Sequence, residues 1–329
     1  MNEAASRERA PEQGLRLREM RHGAWLPLAV VLALIVFFSF GSSAFFTLRN
    51  MTGITGQGST LLISCLGATF VILMGSIDLS VGAMVLLVGS MTVLAINHLG
   101  LGIEAMLLAV VIGALLGLFN GVIYTIGAIP SFVVTLGTLS VFTGLAWQLL
   151  EGRALPFNAA GFEDLAIGQY VPHLPNIALW AILAWAAMVF IGQKTRFGRY
   201  MYVIGGGEAV ARASGIPVRR YKLYAFALSG FCAGLAGALA VARLGAAGPT
   251  LGSDLLLNTL AAIVVGGTSL SGGVGGVHRT LIGVVIIAVL DNGLNLMGVN
   301  QYTQMVIKGL VVVAAVLIGQ DRSKIPVMK

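Results

Sequence analysis

The sequence predicts an all-α polytopic membrane protein with about ten transmembrane helices, and three observations lead to this fold class. The first is composition: of 329 residues, 57% are hydrophobic and only 10% are charged, whereas about 25% of the residues in a soluble domain are charged. The second is a series of long apolar runs, and the third is the placement of basic residues between them. The short connections leave no room for a separate soluble domain.

Each membrane span needs about 20 apolar residues, and ten segments reach or approach this length. The run after the basic N-terminus is too long for a signal peptide, and no small-residue cleavage site follows it, so we predict an uncleaved first span. The predicted spans are 25–46, 56–75, 79–97, 102–127, 131–150, 176–192, 221–242, 254–268, 279–298 and 302–319.

The basic residues predict the topology, because Lys and Arg are enriched in cytoplasmic loops. Of the 20 Lys and Arg, five precede Trp25, seven lie between Gln193 and Lys222, and three lie after residue 319. The segment 151–175 has one Arg against three acidic residues. We therefore predict a transmembrane domain over 25–319 with both termini cytoplasmic. Its flanking and connecting parts are a tail at 1–24, an external segment at 151–175, a cytoplasmic loop at 193–221 and a tail at 320–329.

Glycines recur every four residues on two predicted spans, at Gly113, Gly117 and Gly121 on the fourth and at Gly230 and Gly234 on the seventh. Such small residues let helix backbones approach closely in lipid. The pattern predicts two packing faces.

The two halves of the chain resemble each other in places. LFNGVIYTIGAIPSF, which contains Asn120, is similar to VLDNGLNLMGVNQYT, which contains Asn292. Five spans separate the two segments, and this odd number predicts that the halves run in opposite directions. Inverted repeats are typical of transporters, with the substrate path between them.

The octapeptide GSIDLSVG places Asp78 between the second and third predicted spans and Ser80 at the start of the third. A charge in the bilayer centre is costly, so this carboxylate requires a role. An Asp at this position can accept backbone N–H groups at the start of the third span. A cap at the helix start and a part in gating or in coupling to an ATPase both remain open.

The cytoplasmic loop contains GGGEAVARASGIP, from Gly205 to Pro217. Glu208 to Ser214 predicts a short helix, with Glu208 and Arg212 as an i,i+4 pair, and Gly215 is expected to end it. The loop is either a docking surface for another subunit or a solvated connector. The residues that form the candidate coupling element are Gly205, Gly206, Gly207, Glu208, Ala209, Arg212, Ser214 and Gly215.

The sequence lacks the motifs of several chemistries. No GxxxxGK[ST], HExxH or GxSxG occurs, so neither nucleotide hydrolysis nor protease or esterase activity is indicated. Cys65 and Cys232 both lie in apolar runs and predict neither a metal site nor a disulfide. We predict no catalytic residue, metal or cofactor. If the protein transports a solute uphill, the energy must come from an ion gradient or from another subunit.

Four motifs together resemble one family of transport proteins. GSIDLSVG, RFGRYMYVIGGGEAVARASGI, LAAIVVGGTSLSGG and DNGLNLMGVNQYTQMVIKGL are similar to the permease subunits of ABC importers for ribose, xylose and arabinose, in order from about Leu48 to Ile318. The resemblance implies a bacterial inner-membrane protein with inverted five-helix halves, as in vitamin B12-type importers. It also implies a second permease subunit (a homodimer or a sister permease), a cytoplasmic ATP-binding subunit and a periplasmic sugar-binding protein. Branched-chain amino-acid permeases share this architecture and are the alternative, as is an ion-gradient-driven secondary transporter.

The resemblance holds residue by residue at several positions. The family's GGIDLS is GSIDLS here, with Asp78 kept. Its GGNEEAARLSGI is GGGEAVARASGI here, with Glu208, Arg212, Ser214 and Gly215 kept. We predict that the 205–215 segment is the coupling element that transmits motion of the ATPase to the pore, because such coupling requires a rigid element with two positions.

The chain departs from the family at two other motifs. The family's GYELDAIAAV is DLLLNTLAAI here, so Leu256 and Asn258 replace a glutamate and an aspartate. Its NNGLNLLG is DNGLNLMG here, so Asp291 replaces an asparagine. The role of the family's acidic pair is therefore in doubt in this protein.

A neutral, polyhydroxylated sugar requires a path that offers amides and hydroxyls rather than charge. Candidates for this path are Asn120, Asn292, Asn295, Gln301 and Gln304, each of which also suits a cap or a helix cross-link. Asp291 and Lys308 flank the turn between the last two spans at similar depth. We predict that they form an ion pair, with snorkelling of Lys308 to the interface as the alternative.

Overall fold

A computed structural model describes residues 27–159 and 161–319. The predicted tails at 1–24 and 320–329 lie outside the described residues. Twelve α-helices form the described part of the chain, together with a 3₁₀ turn at Glu163–Leu165 and two short antiparallel strands, β1 (Leu155–Pro156) and β2 (Ala246–Ala247). The helices are α1 (Pro27–Gly41), α2 (Leu48–Leu73), α3 (Val81–Leu99), α4 (Glu104–Ile126), α5 (Ser131–Leu150), α6 (Asn176–Lys194), α7 (Arg196–Gly206), α8 (Glu208–Ala213), α9 (Val218–Leu244), α10 (Leu255–Val265), α11 (Val277–Leu296) and α12 (Gln301–Gly319).

Seven of these helices, α2 to α6, α9 and α11, are long and apolar enough to cross a membrane. Three shorter apolar stretches, in α1, α10 and α12, lie where the other three spans are predicted. The described structure thus confirms a helical, multi-span protein, while the count of ten spans stays a prediction.

Helix α10 is the clearest difference from the predicted spans. It has 11 residues, which at 1.5 Å per residue is about 16 Å, roughly half of the hydrocarbon core. The glycine-rich segment that follows ends it, because Gly267 adopts a left-handed conformation with φ of +90°. By itself α10 therefore reaches only about halfway across a bilayer.

Helices α2 and α9 form the centre of the molecule, and α9 packs against α2, α3 and α4. Most of α2 and α9 is buried, whereas most of α4, α5 and α6 is not. The exposed side chains of these outer helices include Leu107, Leu115 and Leu183. Apolar exposure of this kind suits contact with lipid.

The predicted glycine faces are confirmed as packing faces, and they pack against each other. A Cβ atom at Gly117 of α4 would lie 2.1 Å from the carbonyl oxygen of Phe226 in α9. A Cβ atom at Gly230 of α9 would lie 2.1 Å from the carbonyl oxygen of Gly113. The two backbones approach so closely that no larger residue fits without a shift of the helices.

Candidate functional site

A cavity of about 600 Å³ lies among α2, α9, α10, α11 and α12. Ala246 of β2 lines it, and β2 pairs with β1 of the 151–175 segment. The cavity is therefore on the same side of the molecule as the segment predicted to be external. Its lining is rich in polar groups, which include Gln57, Arg243, Asp254, Asn258, Asp291, Asn295, Gln301, Gln304 and Lys308.

A buried cluster of three side chains forms part of this lining. Nζ of Lys308 lies 3.4 Å from Oδ1 of Asp291, and Nδ2 of Asn258 donates a hydrogen bond of 3.0 Å to Oδ2 of Asp291. Lys308 and Asn258 are only 6% and 7% exposed. The structure thus brings together the two residues of the predicted ion pair and adds a third residue from α10.

The cluster also joins the two departures from the family motifs. Where the family has an aspartate at position 258 and an asparagine at 291, this chain has Asn258 and Asp291, and the two are hydrogen-bonded. An amide and a carboxylate are present in either case. Compared with the family motifs, the carboxylate is on α11 instead of α10, and the amide is on α10 instead of α11.

The five candidate path residues divide into two groups. Asn295, Gln301 and Gln304 line the cavity, and Nε2 of Gln304 donates to Oδ1 of Asn295 at 2.8 Å. Asn120 and Asn292 do not line it. Asn120 donates to Oγ of Ser80 at 2.8 Å.

Asn292 exchanges two hydrogen bonds with Asn50 of α2, of 3.0 and 2.7 Å. The geometry of Asn120 and Asn292 therefore corresponds to the cross-linking alternative, in which the amide joins neighbouring segments.

Asp78 lies in the turn before α3 and is 3% exposed. Its Oδ1 accepts hydrogen bonds from the backbone N–H and the hydroxyl of Ser80, at 3.0 and 2.6 Å. Its Oδ2 accepts one from Ser229 of α9 at 2.9 Å. The residue that precedes α3 is Ser80, whose side chain makes no cap bond. Asp78 thus stabilises the turn before the helix and ties it to α9.

The cytoplasmic loop of the prediction contains two helices, α7 and α8. Helix α8 begins at Glu208, where the short helix is predicted, and Gly215 follows it in a left-handed conformation with φ of +77°. Arg212 donates to Glu208 at 2.5 Å, and Lys222 of α9 donates to the other oxygen of Glu208 at 2.7 Å. Glu208 therefore holds α8 against the start of α9.

Two of the three glycines before α8 lie inside a helix rather than in the connection between helices. Gly205 and Gly206 belong to α7, and only Gly207 separates the two helices. A Cβ atom at Gly205 would lie 1.9 Å from the carbonyl oxygen of Leu73. Gly205 thus permits close packing of α7 on the end of α2.

The small residues of α8 also differ in exposure. Ala211 is fully buried against the rest of the chain. Ala209, Ala213 and Ser214 are exposed. The exposed small residues of α8 and of the position that follows it are therefore Ala209, Ala213 and Ser214.

Comparison with known proteins identifies the family of this chain. Residues 50–316 match the family described as the branched-chain amino acid transport system / permease component. The chain belongs to this family. No solved structure matches the permease.

Individual relatives of the permease match along nearly their whole length. The ribose import permease RbsC of Escherichia coli K12 is 38% identical over 91% of this chain and 95% of its own. RbsC of Haemophilus influenzae is 40% identical over 87% and 90%. The D-allose transport system permease AlsC of Escherichia coli K12 is 33% identical over 92% and 93%.

Sequence reasoning missed two partners in the permease, and both come from other helices. Lys222 counts toward the basic charge that sets topology, but in the structure it is buried and contacts Glu208. Asn258 stands out only as a departure from a motif, with no sign of its contact with Asp291. Both residues are polar and lie within predicted spans. This is the one sequence signal that distinguishes them, and it does not identify their partners.

The interactions of Glu208 predict a pH dependence of the permease loop. Burial acts to raise the pKa of this carboxyl, but hydrogen bonds from Lys222 and Arg212 and their positive charges outweigh burial and lower the pKa below its ordinary 4.5. A carboxyl with a lowered pKa contributes stability above its unfolded-state pKa and loses it as pH falls through the folded-state value.

We therefore expect amide hydrogen exchange in α8, corrected for intrinsic rates, to accelerate as pH falls below about 4.5. Glu208→Gln should exchange faster than the wild type at pH 7 and show little further change on acidification. Equal acid sensitivity of the two proteins would contradict this role of Glu208.

Proposed function

We propose that this chain is the membrane-spanning permease subunit of an ATP-binding-cassette importer that translocates a monosaccharide across a bacterial inner membrane. The observation that carries the proposal is the 38% identity to a ribose import permease over nearly the full length of both chains. A second relative, 33% identical, is named for D-allose. These names favour a sugar over the amino-acid alternative.

The cavity suits such a solute. About 600 Å³ lies within the usual range of roughly 300–1,000 Å³ for small-molecule sites. The amides of Asn295, Gln301 and Gln304 offer both donors and acceptors, which hydroxyl groups need. We propose these three residues as part of the sugar path.

The permease contributes no catalytic site in this proposal, and a separate subunit hydrolyses ATP. The surface of the permease on which this subunit docks consists of α7, α8 and the adjacent cleft of about 750 Å³. Arg212, Arg219 and Arg220 line the cleft. Conformational change passes between subunits through rigid elements with two arrangements. Helix α8 suits this role because Glu208 holds it to α9 and α7 packs on the end of α2.

The finer architecture of the proposal includes ten spans in two inverted five-helix halves, as in vitamin B12-type importers, with both termini cytoplasmic. The matched segments around Asn120 and Asn292 and the distribution of basic residues support it. A second permease subunit and a periplasmic sugar-binding protein complete the importer.

Reconstitution tests the proposal. Proteoliposomes that contain the permease, its ATPase and its binding protein should take up labelled D-ribose or another monosaccharide only when ATP is supplied. Excess leucine should not compete with sugar uptake, because leucine is a solute of the alternative, a branched-chain amino-acid permease. Uptake by the permease alone, driven by an ion gradient, would contradict the assignment.

A further inference from the structure

We infer that Asn258, Asp291 and Lys308 form a hydroxyl-binding site at which the permease contacts the transported sugar. The inference rests on the proposed function and names the polar groups that recognise the solute. It assigns a role in sugar recognition to three residues whose contacts would otherwise be interpreted only as a cross-link between helices.

The first argument is convergence at one wall of the cavity. Asn258 comes from α10, Asp291 from α11 and Lys308 from α12, and all three line the cavity. The short length of α10 matters here, because the segment before it, with Gly252 and Asp254, also lines the cavity. Asn258, the fourth residue of α10, therefore lies at the wall of this cavity.

The second argument is unused hydrogen-bonding capacity. Oδ1 of Asn258 and Oδ1 of Asp291 are buried and have no hydrogen-bond partner among the residues that the structure describes. The 3.4 Å contact of Asp291 with Lys308 is an ion pair without hydrogen-bond geometry. A buried acceptor without a donor is destabilising, so a solute that donates to these atoms is favoured.

The third argument is complementarity. A sugar hydroxyl both donates and accepts, and neighbouring hydroxyls of a ring present pairs of such groups. The cluster offers Oδ1 of Asn258, which has no donor, and Oδ1 of Asp291, which is paired with Lys308 by charge alone, beside an ammonium group with three donors. Hydrogen bonds to ionised groups are the stronger kind. Because the carboxylate and the ammonium neutralise each other, the site suits a neutral polyol rather than an ion.

A purely structural cluster makes a different prediction from a binding site. A cross-link between α10, α11 and α12 would affect the amount and thermal stability of folded permease, and uptake of all sugars would fall together. A site that bonds a hydroxyl discriminates against an analogue that lacks it. The ratio of uptake rates for D-ribose and 2-deoxy-D-ribose separates the two roles.

The experiment compares Asn258→Ala with the matched control Asn292→Ala in reconstituted importer. Asn292 is a half-buried amide next to Asp291 in the chain, but it bonds to Asn50 and does not line the cavity. We expect Asn258→Ala to lower ATP-driven D-ribose uptake about tenfold, the equivalent of one lost hydrogen bond, and to bring the D-ribose to 2-deoxy-D-ribose ratio nearer to one. The control should keep the wild-type ratio.

Two further variants guard against misfolding. The double variant Asp291→Asn, Lys308→Met removes both charges together, so that no unpaired ion remains buried. It should fold and show the same loss of selectivity for D-ribose over 2-deoxy-D-ribose. Asn258→Asp with Asp291→Asn exchanges the carboxylate and the amide. This exchange should recover part of the uptake that Asp291→Asn alone loses.

The outcomes are distinguishable. Suppose that the wild type shows ATP-driven uptake, and that Asn258→Ala and the doubly neutral variant both keep its uptake rate and its sugar ratio. This result would overturn the inference and leave the proposed function intact. Absence of ATP-driven monosaccharide uptake by the wild-type importer would overturn the proposed function and the inference with it.

Discussion

Gly117→Ala is expected to lower the stability of the permease by about 1–3 kcal/mol or more, the usual cost of overpacking. The added Cβ atom would lie 2.1 Å from the carbonyl oxygen of Phe226 and 2.8 Å from the backbone nitrogen of Gly230. Both atoms belong to the backbone of α9, so no side-chain rotation relieves the contact and the helices must move apart. Thermal unfolding of detergent-solubilised protein, followed by size-exclusion chromatography, measures the loss.

Gly137→Ala in α5 is the matched control. No atom lies within 4 Å of a Cβ atom at this position, and alanine is more favourable than glycine in a helix interior by about 0.8–1 kcal/mol. Its unfolding temperature should equal or exceed that of the wild type. If Gly117→Ala unfolds at the same temperature as Gly137→Ala, the close crossing of α4 and α9 is wrong.

The helices were predictable because their signals are local. Apolar runs marked the ten helical segments that carry predicted spans, and glycines four residues apart marked the faces of α4 and α9. Each signal lies within one segment and needs no knowledge of its neighbours. The pairing of the two glycine faces followed only from the structure.

Two elements show where local signals end. Arg196–Gly206 is helical although the sequence predicts a loop over 193–221, and its Gly205 is explained only by the close backbone of Leu73 and Gly273. Residues 254–268 have the hydropathy of a span, but hydropathy alone does not distinguish a half-length helix from a complete one. The glycines after α10 decide its length.

The candidate site shows the same limit. The approach of Asp291 to Lys308 follows from a hairpin of two neighbouring helices, so it was predictable from spacing. The contacts of Asn258 with Asp291 and of Glu208 with Lys222 also join helices that follow one another, but the segments 266–276 and 214–217 between them set the relative orientation of each pair. Such contacts depend on the tertiary arrangement, which residue spacing does not specify.

The exposed face of α8 leads to the second large prediction, which concerns coupling to the ATPase. Ala209 and Ala213 lie four residues apart on one side of the helix, and both are exposed. In the proposed importer this face fits closely against the ATP-binding subunit. Ala209→Trp adds a bulky side chain at that contact, with an expected cost of about 1–3 kcal/mol. Each 1.4 kcal/mol is a factor of about ten in affinity.

We therefore expect Ala209→Trp to insert and fold normally but to lose ATPase binding by about tenfold or more, together with sugar-stimulated ATP hydrolysis. Ala211→Trp does not test docking, because Ala211 is buried inside the chain and its replacement disturbs the packing of the loop itself. Leu107→Trp controls for added bulk, since Leu107 is 70% exposed on α4, far along the chain from the loop.

The measurements are ATPase binding to nanodisc-embedded permease and hydrolysis with sugar-loaded binding protein, alongside the unfolding temperature of each variant. Leu107→Trp should match the wild type in all three. Glu208→Ala, which removes the ion pairs but adds no bulk, should loosen α8 and reduce stimulation less than Ala209→Trp does. Wild-type binding and stimulation in Ala209→Trp would show that the exposed face of α8 is a solvated surface, and the coupling element would then have to lie elsewhere on the cytoplasmic side.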